Sequence, residues 1–125
     1  MIVGVAVVEL RVHESQSLKE KRGVVRKVVG RLRHRFNLSV AEVGGQDTWQ
    51  RAVLGLSMAG SDETVVRNGL SKAIELIDGM HLAELLASEI ELMRLPLEVA
   101  AFEPGSVAGE DADDGEEDLD LPWSR

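Results

Sequence analysis

The sequence predicts an α+β fold of four strands and two helices in the order β-α-β-β-α-β, followed by a disordered acidic tail. Three observations predict it. Apolar residues alternate with period two in the first and central segments, they recur at helical spacing in two other segments, and the acidic surplus sits at one end of the chain. The 125 residues carry a net charge of −8. Glu103 to Arg125 holds nine Asp or Glu and one Arg, a net of −8, so residues 1–102 are neutral, with thirteen charges of each sign. A segment of Gly, Asp and Glu with few apolar side chains buries too little surface to offset the entropy of ordering it. A domain over 1–102 and a disordered tail over 103–125 are therefore expected.

The first element is MIVGVAVVEL. Gly4, Ala6, Val8, Leu10 and Val12 fall on one face and Val3, Val5, Val7, Glu9 and Arg11 on the other, the pattern of a strand. Glu9 and Arg11 come too early for this stretch to cross a bilayer, and it has no basic flank, so no membrane or export segment is expected. Ser17 followed by Glu20 forms a capping box that opens a helix. Leu18, Val25, Val28, Val29, Leu32 and Phe36 share its apolar stripe, and Asn37 ends it. LSVAEV, Leu38 to Val43, reads as the second strand. Gly44, Gly45, Gln46 and Asp47 turn the chain into a hairpin partner, Trp49 to Ala59, with Ala52, Leu54, Leu56 and Met58 on one face and Trp49, Arg51, Val53 and Ser57 on the other. A second helix starts near Ser61, with Val66, Leu70, Ala73, Ile74 and Ile77 inward and Gly79 as its stop. The segment from His81 to Met93 has a helix-like composition at first, but Glu89 and Glu91 alternate with Ile90 and Leu92, which makes a last strand.

That order resembles the ferredoxin-like sandwich, a four-stranded antiparallel sheet with both helices on one face. The other face then shows Val3, Val5, Val7 and Val53 beside Trp49, Glu9, Arg11 and Arg51. That is more apolar surface than a small domain leaves in water, so these valines are expected to form an oligomer interface.

Several function classes find no support. The absence of cysteine removes disulfides, thiolate metal sites and cysteine nucleophiles, and fits a reducing cytosol. The chain has no GxxxxGK[ST], no GxGxxG after a strand, no GxSxG and no HExxH. His13, His34 and His81 have no partner at metal-ligand spacing. No enzyme, cofactor or metal site is expected.

The first helix carries the strongest signal. Ser17 to Phe36 holds eight Lys and Arg against one Glu. Lys19, Arg22, Arg26 and Arg33 line one flank beside the apolar stripe, while Lys21, Lys27, Arg31 and Arg35 spread over the rest of the exposed side. Gly23 and Gly30, seven apart, give that flank a smooth strip where a backbone can come close. A phosphate backbone rewards such a row of cations by counterion release. The plain alternative is a solvated helix face, although such faces ordinarily mix both signs. Trp49, with Arg51, either stacks on a base, anchors a protein contact or packs at the core edge. The nucleic-acid-binding set expected from sequence is thus Lys19, Lys21, Arg22, Arg26, Lys27, Arg33, Trp49 and Arg51. The tail, closing on Leu119, Leu121, Pro122 and Trp123, reads as a solubilising spacer, with a short recognition segment, or an intramolecular mimic of nucleic acid that folds back onto the basic helix, as the alternative.

At SLKEKR, RFNLSVAEV and QDTWQRAVLG the chain resembles the YlxP-like family of small bacterial proteins, over Met1 to about Leu95. The resemblance implies a ferredoxin-like fold. Members are typically encoded beside transcription and translation factors, including ribosome-binding factor A, which implies a role in ribosome assembly or RNA handling, with RNA or a ribosomal subunit as partner. The positions carrying the resemblance are Ser17, Leu18, Lys19, Lys21 and Arg22, then Phe36 and Asn37, then Ala41 and Glu42, and last Asp47, Trp49, Gln50 and Arg51. The chain departs at Gly23, where a bulkier or basic residue is usual, and at Gly44-Gly45, where the turn is usually more polar. Two other classes stay open: a homo-oligomeric interaction module joined through the sheet face, and a small-molecule sensor of the kind ferredoxin-like dimers form.

Overall fold

Every core side chain of the first strand comes from its even-numbered positions, and the rest of the architecture follows from burying that face. The computed structural model describes residues 1–13 and 15–96. Its elements are β1 (Ile2–Arg11), α1 (Leu18–Arg35), β2 (Ser39–Gly44), β3 (Arg51–Gly60), α2 (Glu63–Met80) and β4 (Glu84–Arg94). The strands form one antiparallel sheet in the order β2-β3-β1-β4, with β2 and β4 at the edges. This is the ferredoxin-like arrangement. The tail expected at 103–125 lies outside the described residues.

Central β1 pairs along its whole length on both sides. Ile2 faces Gly60 and Arg11 faces Arg51 across β3, while Val3 faces Met93 and Val7 faces Glu89 across β4. The register breaks twice. Between Glu9 and Leu10 the partners step from Ala87 to Leu85, and between Glu42 and Gly44 the chain leaves Val43 without a partner. An extra residue of this kind bends the strand and re-aims a side chain.

Both helices cover the even face of β1. Packed α1 sits over β2 and β3, and α2 over β1, β3 and β4. Ile2, Ala6, Val8, Leu10, Ala52, Leu54 and Leu56 from the sheet meet Val25, Val28 and Leu32 of α1 and Val66, Leu70, Ala73, Ile74 and Ile77 of α2. Each fully buried aliphatic chain here contributes roughly 1.5–3 kcal/mol. Gly4 sets how closely α2 approaches, since a Cβ there would stand 2.6 Å from Val66 and from Leu70.

The caps explain the helix bounds. Ser17 Oγ accepts from the Glu20 amide at 3.1 Å, and the Glu20 carboxylate accepts from the Gln16 amide at 2.7 Å, one residue before the position a strict capping box would use. Asp62 caps α2 by accepting from the amides of Thr64 and Val65. Gly79 does not stop α2 as the sequence suggested. The helix runs on to Met80, and His81 takes the left-handed conformation, φ 55°, that ends it. The hairpin also differs, because β3 starts at Arg51 rather than Trp49. Thr48 N donates to Gly45 O, which closes the turn ahead of β3, and Gln50 O accepts from Val12 N at the end of the β1–β3 pairing.

Candidate nucleic-acid interface

The first turns of α1 rest on a buried lysine. Lys21 is fully buried, with a relative exposure of 0%. Its Nζ donates to Gly45 O at 2.6 Å and to Gln46 O and Arg51 O at 3.3 Å each. It also lies 3.2 Å from Glu42 Oε2, an ion-pair contact outside hydrogen-bond alignment, and that oxygen has no other partner among the described residues. Burying an ammonium is costly unless its donors are satisfied, and three carbonyls plus a carboxylate satisfy them. Lys21 therefore belongs to the fold, and its place in the expected binding set is corrected. The signal was in the sequence: Lys21, Val25, Val28 and Leu32 fall at i, i+4, i+7 and i+11, which centres the lysine on the apolar stripe.

This clamp shapes the turn as well. Gly45 sits at φ 75°, and a Cβ there would stand 2.8 Å from Arg51 O, so the backbone bends back on itself where Lys21 gathers the carbonyls. The departure from the family pattern at Gly45 thus has a steric reason. Gly44 is different, since a Cβ there would meet Val53 at 3.3 Å.

The remaining cations of α1 are exposed: Lys19, Arg22, Arg26, Lys27, Arg31, Arg33 and Arg35. None of these seven makes an ion pair with a described residue. Elsewhere Arg51 pairs with Glu9, and Arg67 and Arg94 both pair with Glu63. Arg33 donates to Val40 O at 3.2 Å, which orients its flank of α1 toward edge strand β2. Helical spacing puts Arg22, Arg26 and Lys19 on the same flank. Gly23 and Gly30 border it, and a Cβ at either would meet nothing within 4 Å, so neither glycine is required by packing.

Two other expected members stand apart from this flank. Arg51 lies on the open sheet face, tied to Glu9. Trp49 lies in the turn, 53% exposed, rather than on the strand face where sequence alternation placed it.

The open face carries the four valines expected there. Val3, Val5 and Val53 are half-buried, and Val7 is 49% exposed. Two further apolar residues join them. Met93, opposite Val3 across β4, is 51% exposed. Val43, on the same side of β2 as Ser39 and Ala41 and beside Gly55, is 56% exposed. Alternation along β2 groups Val43 with Ser39 and Ala41, opposite buried Val40, but only the pairing of Ala41 with Gly55 shows that this side of β2 belongs to the open face. Glu9, Arg11, Arg51, Glu84, Glu89 and Glu91 frame these side chains on the same face. Among the described residues no group of three or more His, Cys, Asp or Glu can hold a metal ion, and no helix is long and apolar enough to cross a membrane.

Fold and surface together define a small ferredoxin-like α+β domain with a basic first helix and an apolar, acid-edged sheet face. The chain belongs to the DUF503 family, described as a protein family of unknown function, whose model matches residues 3–90. It is 35% identical over 77 residues to the uncharacterized protein YlxP of Bacillus subtilis (strain 168), covering 62% of this chain and 84% of that protein. Among solved structures it is similar to SnoaB, a cofactor-independent oxygenase from Streptomyces nogalater, at 16% identity and a TM-score of 0.48, covering 79% of this chain and 98% of that one. It is also similar to the de novo designed protein Foldit4, at 10% identity and a TM-score of 0.46, covering 76% and 99%. Neither likeness speaks to the chemistry of this chain.

Proposed function

We propose that this domain binds the phosphate backbone of RNA along α1, as an accessory factor in RNA handling or ribosome assembly. The observation that carries the reading is the set of seven exposed cations on one helix that pair with no described acid, whereas three of the five described Lys and Arg elsewhere sit in ion pairs. A row of such cations favours a polyanion, whose binding releases counterions. The usual neighbourhood of the family's genes, among transcription and translation factors, points to RNA rather than DNA. The sheet face, which many ferredoxin-like RNA binders use, is unsuited to this here. It carries no aromatic side chain among the described residues, and Glu9, Glu84, Glu89 and Glu91 oppose a phosphate chain.

The test is the salt dependence of binding. Arg22→Gln/Arg26→Gln keeps helix propensity and leaves Arg33 on Val40 O. Affinity for RNA of any sequence should fall, and the slope of log affinity against log salt should shrink by roughly 0.7 per lost contact on a single strand. An unchanged affinity and slope would make α1 a solvated face.

A second reading concerns the opposite side. Val7, Val43 and Met93, each about half exposed on one sheet face, favour self-association of the domain through that face, independent of whether α1 binds RNA.

A further inference from the structure

Among the described residues the aromatic side chains are Phe36 and Trp49, and Phe36 packs against the core. Trp49 alone presents its ring to solvent. An exposed indole on a loose loop would mean little, but this turn is fastened on every side. Lys21 holds the carbonyls of Gly45, Gln46 and Arg51, and Thr48 N closes on Gly45 O. Gln50 is held twice, its carbonyl by Val12 N and its side chain by Ser15 O. Trp49 is thus one residue from a fixed point on either side, and a residue of extended chain reaches only about 3.5 Å. The same lysine fixes the turn to the first turns of α1, the end that carries Lys19 and Arg22.

We infer that Trp49 is a base-stacking platform at the N-terminal end of the α1 cation strip, and that the strip's ligand is therefore unpaired RNA rather than a duplex. This rests on the backbone-binding reading and specifies its substrate class. The strip supplies cations from Lys19 to Arg33, roughly 21 Å at 1.5 Å per residue, and they meet any phosphate chain alike. The indole adds a demand that a duplex cannot meet. In a paired helix the base faces are buried in the stack, whereas a single strand, a loop or a bulge offers a free face to an aromatic ring. A ring carried on a fixed backbone gains more from stacking than one on a mobile loop, because less motion is lost on binding. The position needs no pocket and no hydrogen-bond code, so the preference is for strandedness and not for sequence.

The experiment compares the full chain with Trp49→Ala and Trp49→Phe, using a uridine 15-mer and an RNA duplex of equal length at one fixed salt concentration. Trp49→Ala should weaken single-strand binding by about fivefold or more, the low end for loss of one base–aromatic stack, and leave duplex binding unchanged. Trp49→Phe should recover most of the loss. In a Trp123→Phe background the remaining indole emission should be quenched by the uridine 15-mer, a direct readout that does not depend on comparing variants. If Trp49→Ala binds both RNAs like the parent while Arg22→Gln/Arg26→Gln loses both, the stacking inference fails and the backbone reading stands. Equal loss on both RNAs, or a Trp49 that matters only for protein association, also overturns it. A parent that binds neither RNA removes the backbone reading and this inference together.

Discussion

Lys21 Nζ lies 2.6 Å from the carbonyl oxygen of Gly45, so the helix carrying the basic strip is fastened to the turn carrying Trp49. The contact joins the two surface features by which the domain is proposed to bind RNA. It also makes the lysine part of the hydrophobic layer beneath Val25, Val28 and Leu32.

Lys21→Met is therefore expected to destabilise the domain by about 3 kcal/mol, because removing one partner leaves Glu42 and three carbonyls without their cation. Urea unfolding reads this as a lower midpoint. A loss under about 1 kcal/mol would show that the carbonyls find water and that the clamp is dispensable. A double-mutant cycle with Glu42→Gln then measures the pair itself, and contact between the two groups predicts non-additivity.

Gly23→Ala and Gly30→Ala should each stabilise α1 by about 0.5–1 kcal/mol, since alanine is the better helix former and no atom stands within 4 Å of the new methyl. If the glycines keep the strip flat for a close backbone, the same changes weaken RNA binding while raising the melting temperature. Stabilisation with unaltered binding would mean that nothing approaches these positions closely.

Val7→Lys places a cation opposite Glu89 across β4, so the folded chain keeps a favourable cross-strand pair while the open face gains a charge. Self-association through that face predicts that sedimentation finds an oligomer for the parent and a folded monomer for the variant. A parent that is monomeric at high concentration contradicts this reading.

Deleting residues 105–125 removes eight acidic groups and Arg125, shifting the formal charge by +7 from −8 to −1. The protein's overall field then opposes a polyanion less, and RNA affinity should rise, most at low salt where screening is weakest. Equal affinity of the two forms at low salt would leave those residues a spacer.

The sequence by itself determined the element order, the core face of each strand and the apolar stripe of each helix. These depend on periods of two and 3.6, which are local and survive without knowledge of partners: Ala6, Val8 and Leu10 are buried where alternation put them, and so are Val66, Leu70 and Ile77. It also showed the cation row of α1, because charge on a helix face is read from spacing alone. Tertiary structure decided what became of individual members. Lys21 left the surface because its long stem reaches the hairpin carbonyls, a distant arrangement that its chemical type argues against. Val43 follows the alternation of β2, but only the pairing of Ala41 with Gly55 set that side of β2 beside Val7. Trp49 left the strand because the pairing of β3 with β1 ends at Gln50, whose carbonyl accepts from Val12 N, and Thr48 N closes on Gly45 O within the turn. For Lys21 and Val43 the deciding partner lies far along the chain, where periodicity carries no information, and for Trp49 it is a turn bond that has no period at all.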